Sequence, residues 1–122
     1  MPKIIVVDDE PFILMMIEDK LQKAGFDVIT TRESRGAVEL IRQEKPDLII
    51  LDWMMPEVSG IDICRELKTD EELAAIPIFM LTAKGQEDDE QIGLKCGVDR
   101  YITKPFSPRL LLEMVREAFG GI

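Results

Sequence analysis

The chain has 122 residues, 46% of them hydrophobic and 32% charged, with 24 acidic against 15 basic side chains and a formal net charge of -9. That length serves one hydrophobic core, and the balance excludes a disordered or collagenous chain. The acidity disfavours nucleic acid and anionic membranes as direct partners; the absence of histidine excludes an imidazole base, an imidazole metal ligand and a histidine-containing triad.

Short apolar runs alternate with longer stretches of helical period. Lys3–Val7 is the first predicted strand, β1, and Pro11–Ala24 the first helix, α1. Pro11 suits its opening turn, Ile13, Met16, Ile17, Leu21 and Ala24 recur at helical spacing, and Gly25 supplies the stop. Strand β2 is predicted at Asp27–Thr31, and helix α2 at Ser34–Glu44 with Ser34 as its cap. The apolar run Leu48–Leu51 predicts β3, closed by Asp52, and Ile61–Lys68 predicts α3. Ile78–Leu81 predicts β4. Glu87–Cys96 predicts α4, whose acidic first turns complement the helix dipole. Arg100–Thr103 predicts β5, and Pro108–Phe119 predicts α5, opened by Ser107-Pro108 and ended by Gly120-Gly121.

Five strands alternating with five helices predict a single α/β domain over residues 1–122, a doubly wound parallel sheet with helices on both faces. The first and third strands are apolar throughout and belong at the centre. A flavodoxin-like order 2-1-3-4-5 sets them side by side, with the switch point between them. Cys64 and Cys96 form no CxxC pair and are expected to be free thiols. Met1-Pro2-Lys3 leads straight into a strand without a signal-type apolar region, and no apolar run approaches the roughly 20 residues of a membrane span. A cytoplasmic location is the expectation.

The chemistry gathers at the carboxyl ends of the central strands. Asp8 and Asp9 follow β1 and Asp52 follows β3, which brings three carboxylates to the edge where open α/β sheets keep their ligands. Without histidine or thiolate this is a hard-oxygen site, suited to Mg²⁺ or to Mn²⁺. Asp52 can then serve as ligand and as nucleophile, attacking phosphorus to give an acyl phosphate. Phosphoryl transfer needs positive charge and donors around the moving group. Thr82 after β4 and Lys104 after β5 supply them, and the charges of the carboxylates, a divalent ion and one lysine cancel.

With these pieces in order the chain resembles the receiver domains of two-component response regulators over essentially its whole length. The matching motifs are Val7-Asp8-Asp9-Glu10, Asp52-Trp53-Met54-Met55-Pro56 followed by Gly60, Leu81-Thr82-Ala83, and Lys104-Pro105-Phe106. The resemblance implies that Asp52 is the phosphoacceptor. Asp9 would bind Mg²⁺ directly, Asp8 through water, and Met54 through its backbone carbonyl. Lys104 would contact a phosphoryl oxygen and Asp52, Thr82 would hydrogen-bond another oxygen, and Ala83 would offer its backbone N–H. The Lys104-Pro105 bond would be cis, and Tyr101 would turn with Thr82 as a switch.

The resemblance further implies a phosphoryl donor that is a sensor histidine kinase or phosphotransfer protein, and an α4-β5-α5 face that signals to a downstream partner. The chain would catalyse its own phosphorylation without being a kinase. The stretch from Gly97 to Pro108 resembles the winged-helix transcription-factor branch, but Arg100 stands where that branch has an acid, and Leu110 and Met114 where it has charges. A stand-alone receiver is expected; the alternatives are a receiver cut from a larger DNA-binding regulator and a degenerate receiver that only binds protein. Trp53 is expected to be a partly exposed loop aromatic. Met54 and Lys84, two residues past Asp52 and Thr82, are expected to hinder attacking water and slow dephosphorylation. A dehalogenase-type phosphatase would want an aspartate at position 54, and a flavodoxin would need a phosphate-cradling loop after the first strand, where Asp8-Asp9-Glu10 would repel the flavin phosphate.

Overall fold

A computed structural model describes residues 1–83 and 96–121. The strands are β1 Lys3–Val7, β2 Asp27–Thr31, β3 Leu48–Asp52, β4 Ile78–Ala83 and β5 Arg100–Lys104. They form an all-parallel sheet in the order β2-β1-β3-β4-β5, as expected. Helices α1 (Pro11–Lys23), α2 (Ala37–Glu44), α3 (Gly60–Lys68) and α5 (Pro108–Ala118) are described, whereas nearly all of the predicted α4, and Lys84, lie outside the described residues.

The strand period divides the core in two. Ile4, Val6, Leu48, Ile50, Phe79, Leu81 and Ile102 pack with Leu14, Ile17 and Leu21 of α1 and Leu111, Leu112 and Val115 of α5. Their neighbours in sequence, Ile5, Val7, Ile49, Leu51, Ile78 and Met80, face the other way onto Ala37 and Ile41 of α2 and Ile63, Cys64 and Leu67 of α3. A strand buried on both faces has no polar alternate position, hence the unbroken apolar runs of β1 and β3. Each fully buried isoleucine or leucine contributes about 1.5–3 kcal/mol by leaving water.

Three sequence expectations shift at this level. The strands β3, β4 and β5 run one to two residues further than their apolar runs, because the ladder continues through Asp52↔Leu81, Thr82↔Thr103 and Ala83↔Lys104. Ser34 does not cap α2: the helix begins at Ala37 behind a left-handed Gly36, φ 87°, with no side-chain cap. The Ser34 hydroxyl is used elsewhere, as described below. Trp53, in the loop after β3, is 6% exposed rather than partly exposed; its ring sits 6.2 Å from that of Tyr101, in the apolar cluster beneath α3. Both cysteines are free, and among the described residues no helix is long and apolar enough to cross a membrane.

Candidate functional site

Parallel pairing carries every strand's carboxyl end to one edge, so residues far apart in sequence meet there without any loop having to reach. Asp8, one residue past β1, shares the strand parity of Ile4 and Val6; Asp52 shares that of Leu48 and Ile50, and Lys104 that of Ile102. All three therefore come up on the same side of the sheet. Thr82 has the opposite parity and stands with Trp53 and Tyr101 on the α3 side.

Carboxylate oxygens of Asp8, Asp9 and Asp52 lie within 4.8 Å of one another. Asp8 is fully buried, Asp52 is 5% exposed and Thr82 2%. The Lys104 ammonium lies 3.0 Å from Asp8 Oδ2 and 3.2 Å from Asp52 Oδ1, with Glu10 Oε1 further out at 3.8 Å. Asp8 Oδ1 accepts the Glu10 N–H at 2.8 Å, which fixes the turn into α1. Asp8 Oδ2 has the ammonium near it but accepts no hydrogen bond of good angular geometry. The Lys104-Pro105 peptide bond is cis, and Ala83 is exposed at the rim.

Two carboxylates and one lysine in a nearly dry site leave one negative charge short of a partner. Burial and the charge of Asp8 push the Asp52 carboxyl up to about 7, against the pull of Lys104. Burial works against the charged ammonium of Lys104, yet the contacts and charges of Asp8 and Asp52 outweigh it and hold its pKa above the usual lysine value. A metal ion would answer the remaining deficit. The donor set fits a divalent hard cation: oxygens alone, three carboxylates within reach of one ion, and a buried Asp8 Oδ2 with unused acceptor capacity.

The backbone around Asp52 is as tightly held as its side chain. Trp53 donates its N–H to Leu81 O at 3.0 Å, and Gly60 donates its own to Trp53 O at 2.9 Å, closing the β3–α3 loop at its base. A Cβ at position 60 would run into the Asp52 carbonyl oxygen and come within 2.9 Å of Met80 Sδ, so only glycine fits there. The sequence motif contained Gly60, but nothing in the residue order assigned it this contact. The nearness of Glu10 to Lys104 and the burial of Trp53 also had no signal in the chain pattern.

A doubly wound parallel sheet with three carboxylates and a lysine at its carboxyl edge places the chain among the α/β domains that keep their site at the switch point between the central strands. The response regulator receiver domain family matches residues 4–116, and the chain belongs to it. It is 50% identical over 113 residues, 93% of its length, to the phosphate regulon transcriptional regulatory protein PhoB of Pseudomonas aeruginosa, covering 49% of that protein. It is 47% identical over 107 residues, 88% of its length, to the alkaline phosphatase synthesis transcriptional regulatory protein PhoP of Bacillus subtilis, covering 44% of it. The chain thus spans about half the length of these curated relatives. The solved chemotaxis protein CheY4 of Vibrio cholerae matches with a TM-score of 0.90 and 30% identity, over 97% of this chain and 98% of that one.

Proposed function

We propose that residues 1–122 act as one receiver unit in which Asp52 accepts a phosphoryl group in a Mg²⁺-dependent reaction, Mn²⁺ being able to substitute. The observation that carries this reading is the position of the Asp52 carboxylate. It is nearly dry, 3.2 Å from Lys104 Nζ, and shares a pocket of oxygens with Asp8 and Asp9. An oxygen of Asp52 attacks the phosphorus of a donor, the bond from phosphorus to the donor atom breaks, and Asp52 is left as an acyl phosphate. Lys104 neutralises charge on the phosphoryl oxygens, and Thr82 and the Ala83 N–H donate to them. Asp9 and Asp8, with the Met54 carbonyl, would hold the ion, which supplies the positive charge that offsets the equatorial oxygens.

With no histidine in the chain, the donor is a phosphohistidine on a sensor kinase or phosphotransfer protein, or a small acyl phosphate. The chain modifies itself and is not a kinase. Thr82 and Tyr101 link the site to the α4-β5-α5 face, where a partner in the cytoplasm reads the state; the packing of Trp53 on Tyr101 provides a continuous path from residue 53. A second context is favoured by the relatives' length: the same unit as the receiver half of a transcriptional regulator. In neither context does this unit touch nucleic acid or membrane itself.

Trp53 is the single tryptophan and reports directly. Its fluorescence is expected to change on adding MgCl₂ and again on adding beryllofluoride, with Asp52→Asn losing the second change. A wild-type protein that responds to neither contradicts the reading and favours a module that only binds protein.

A further inference from the structure

The loop that carries Met54 is fastened at a second point, by a residue of the β2–α2 loop, which supplies none of the carboxylates or the lysine of the site. The Ser34 side chain, on the β2–α2 loop, is 6% exposed. Its hydroxyl donates to Pro56 O at 2.6 Å and accepts the Val58 N–H at 3.2 Å. The same Val58 N–H also reaches Pro56 O at 2.9 Å, a three-residue turn whose central residue, Glu57, has φ 72°. A non-glycine residue in that left-handed region, inside so tight a turn, is strained and persists only where its surroundings hold it.

Ser34 is that surrounding. It saturates both polar groups of the turn across a sequence separation of more than twenty residues, and its own carbonyl is fixed by the Ala37 N–H at 3.1 Å. The β2–α2 loop also touches the other acidic loop, since Arg32 Nε donates to Asp9 O at 3.4 Å. Arg35 and Glu57 add an exposed ion pair at 3.4 Å, which at such exposure contributes little.

We propose that Ser34 is a positioning residue for the metal site, acting through the Met54 backbone. The inference rests on the reading above, in which the Met54 carbonyl is a ligand. Trp53 is fixed by Leu81 and Gly60, and Pro56 by Ser34, so Met54 and Met55 are the only residues between two fastened points. The direction of the Met54 carbonyl is thereby set before an ion arrives. Groups that orient a ligand in this way typically change metal affinity by about 10–100-fold when removed.

The test is a Trp53 fluorescence titration with MgCl₂ of wild type, Ser34→Ala and Ser34→Thr. Ser34→Ala is expected to raise the Mg²⁺ dissociation constant by about tenfold while circular dichroism shows an intact fold. Ser34→Thr, which keeps the hydroxyl, is expected to stay within about threefold of wild type. Hydrogen exchange on the wild type is the second measurement, needed if Ser34→Ala does not fold: binding and clamp are reciprocally coupled, so saturating Mg²⁺ is expected to increase protection of the Val58 amide. A folded Ser34→Ala protein with wild-type Mg²⁺ affinity, or a Val58 amide indifferent to Mg²⁺, overturns the clamp and leaves the phosphoacceptor reading standing. A wild-type protein that never responds to Mg²⁺ overturns both.

Discussion

The two ends of strand β5 carry the same kind of interaction in opposite surroundings. At the amino end, Arg100 pairs with Glu117 of α5 at 2.8 Å, both side chains well exposed. At the carboxyl end, Lys104 pairs with Asp8 at 3.0 Å and Asp52 at 3.2 Å, with the carboxylates all but out of water. By distance the amino-end pair is the better one. By consequence it is the lesser, because water screens both its ions whether or not they meet, whereas the carboxyl-end charges have only one another. Charge acquires function here through burial at the sheet edge.

Lys104→Met is expected to show the difference at its largest. It strands two buried carboxylates, and without metal it is expected to cost about 3 kcal/mol at neutral pH, measured by urea unfolding, with MgCl₂ restoring part of the loss. Equal stability of Lys104→Met and wild type would mean that the site is wetter than its geometry indicates. A smaller and pH-dependent effect belongs to Asp52. Its carboxyl titrates at 3.8 in an unperturbed chain and at about 7 in the fold. The folded state holds the proton more tightly, so this group's stabilisation is fully present below pH 3.8 and is lost as pH rises through about 7. Asp52→Asn removes that loss. Its metal-free melting temperature is expected to exceed that of wild type by roughly 3–8 °C at about pH 8 and to match it at about pH 4.

Met54 meets the carboxyl edge from the solvent side. It is 64% exposed, beside the site that, in the function proposed above, admits one phosphoryl group and then keeps water away from it. Met54→Asn is expected to shorten the lifetime of the phosphorylated state severalfold, followed by loss of label over time; a longer lifetime in the variant would contradict the shielding role. Arg100→Met closes the series, with an expected change within about 0.5 kcal/mol. A loss as large as that of Lys104→Met would show that exposure does not separate the two ends.

Much of this was legible in residue order, and what was not has a common cause. The apolar runs of β1 and β3 identified the central strands because residues buried on both faces leave no polar alternate. The same rule ended β3, β4 and β5 too early: Asp52, Thr82 and Lys104 are polar, yet their backbones still pair. The residues that make the site were therefore the ones the pattern excluded from the strands. Meeting of Asp8, Asp9, Asp52 and Lys104 followed from topology and was anticipated. The Ser34 clamp was not, since a serine ahead of a helical pattern reads as a cap, and only the fold shows its hydroxyl on Pro56 and Val58. Trp53 likewise follows an acidic strand end, where exposure is the ordinary expectation, and is buried because Tyr101 rises beside it from β5.

We propose that Asp52, and no other residue of the chain, takes the phosphoryl group. Incubation with acetyl phosphate and MgCl₂, followed by intact-mass and peptide mass spectrometry, tests it most directly. A single phosphoryl adduct on the peptide containing Asp52, absent in Asp52→Asn and without added divalent ion, is the expected result; an adduct on another residue, or none after prolonged treatment of folded protein, would contradict it.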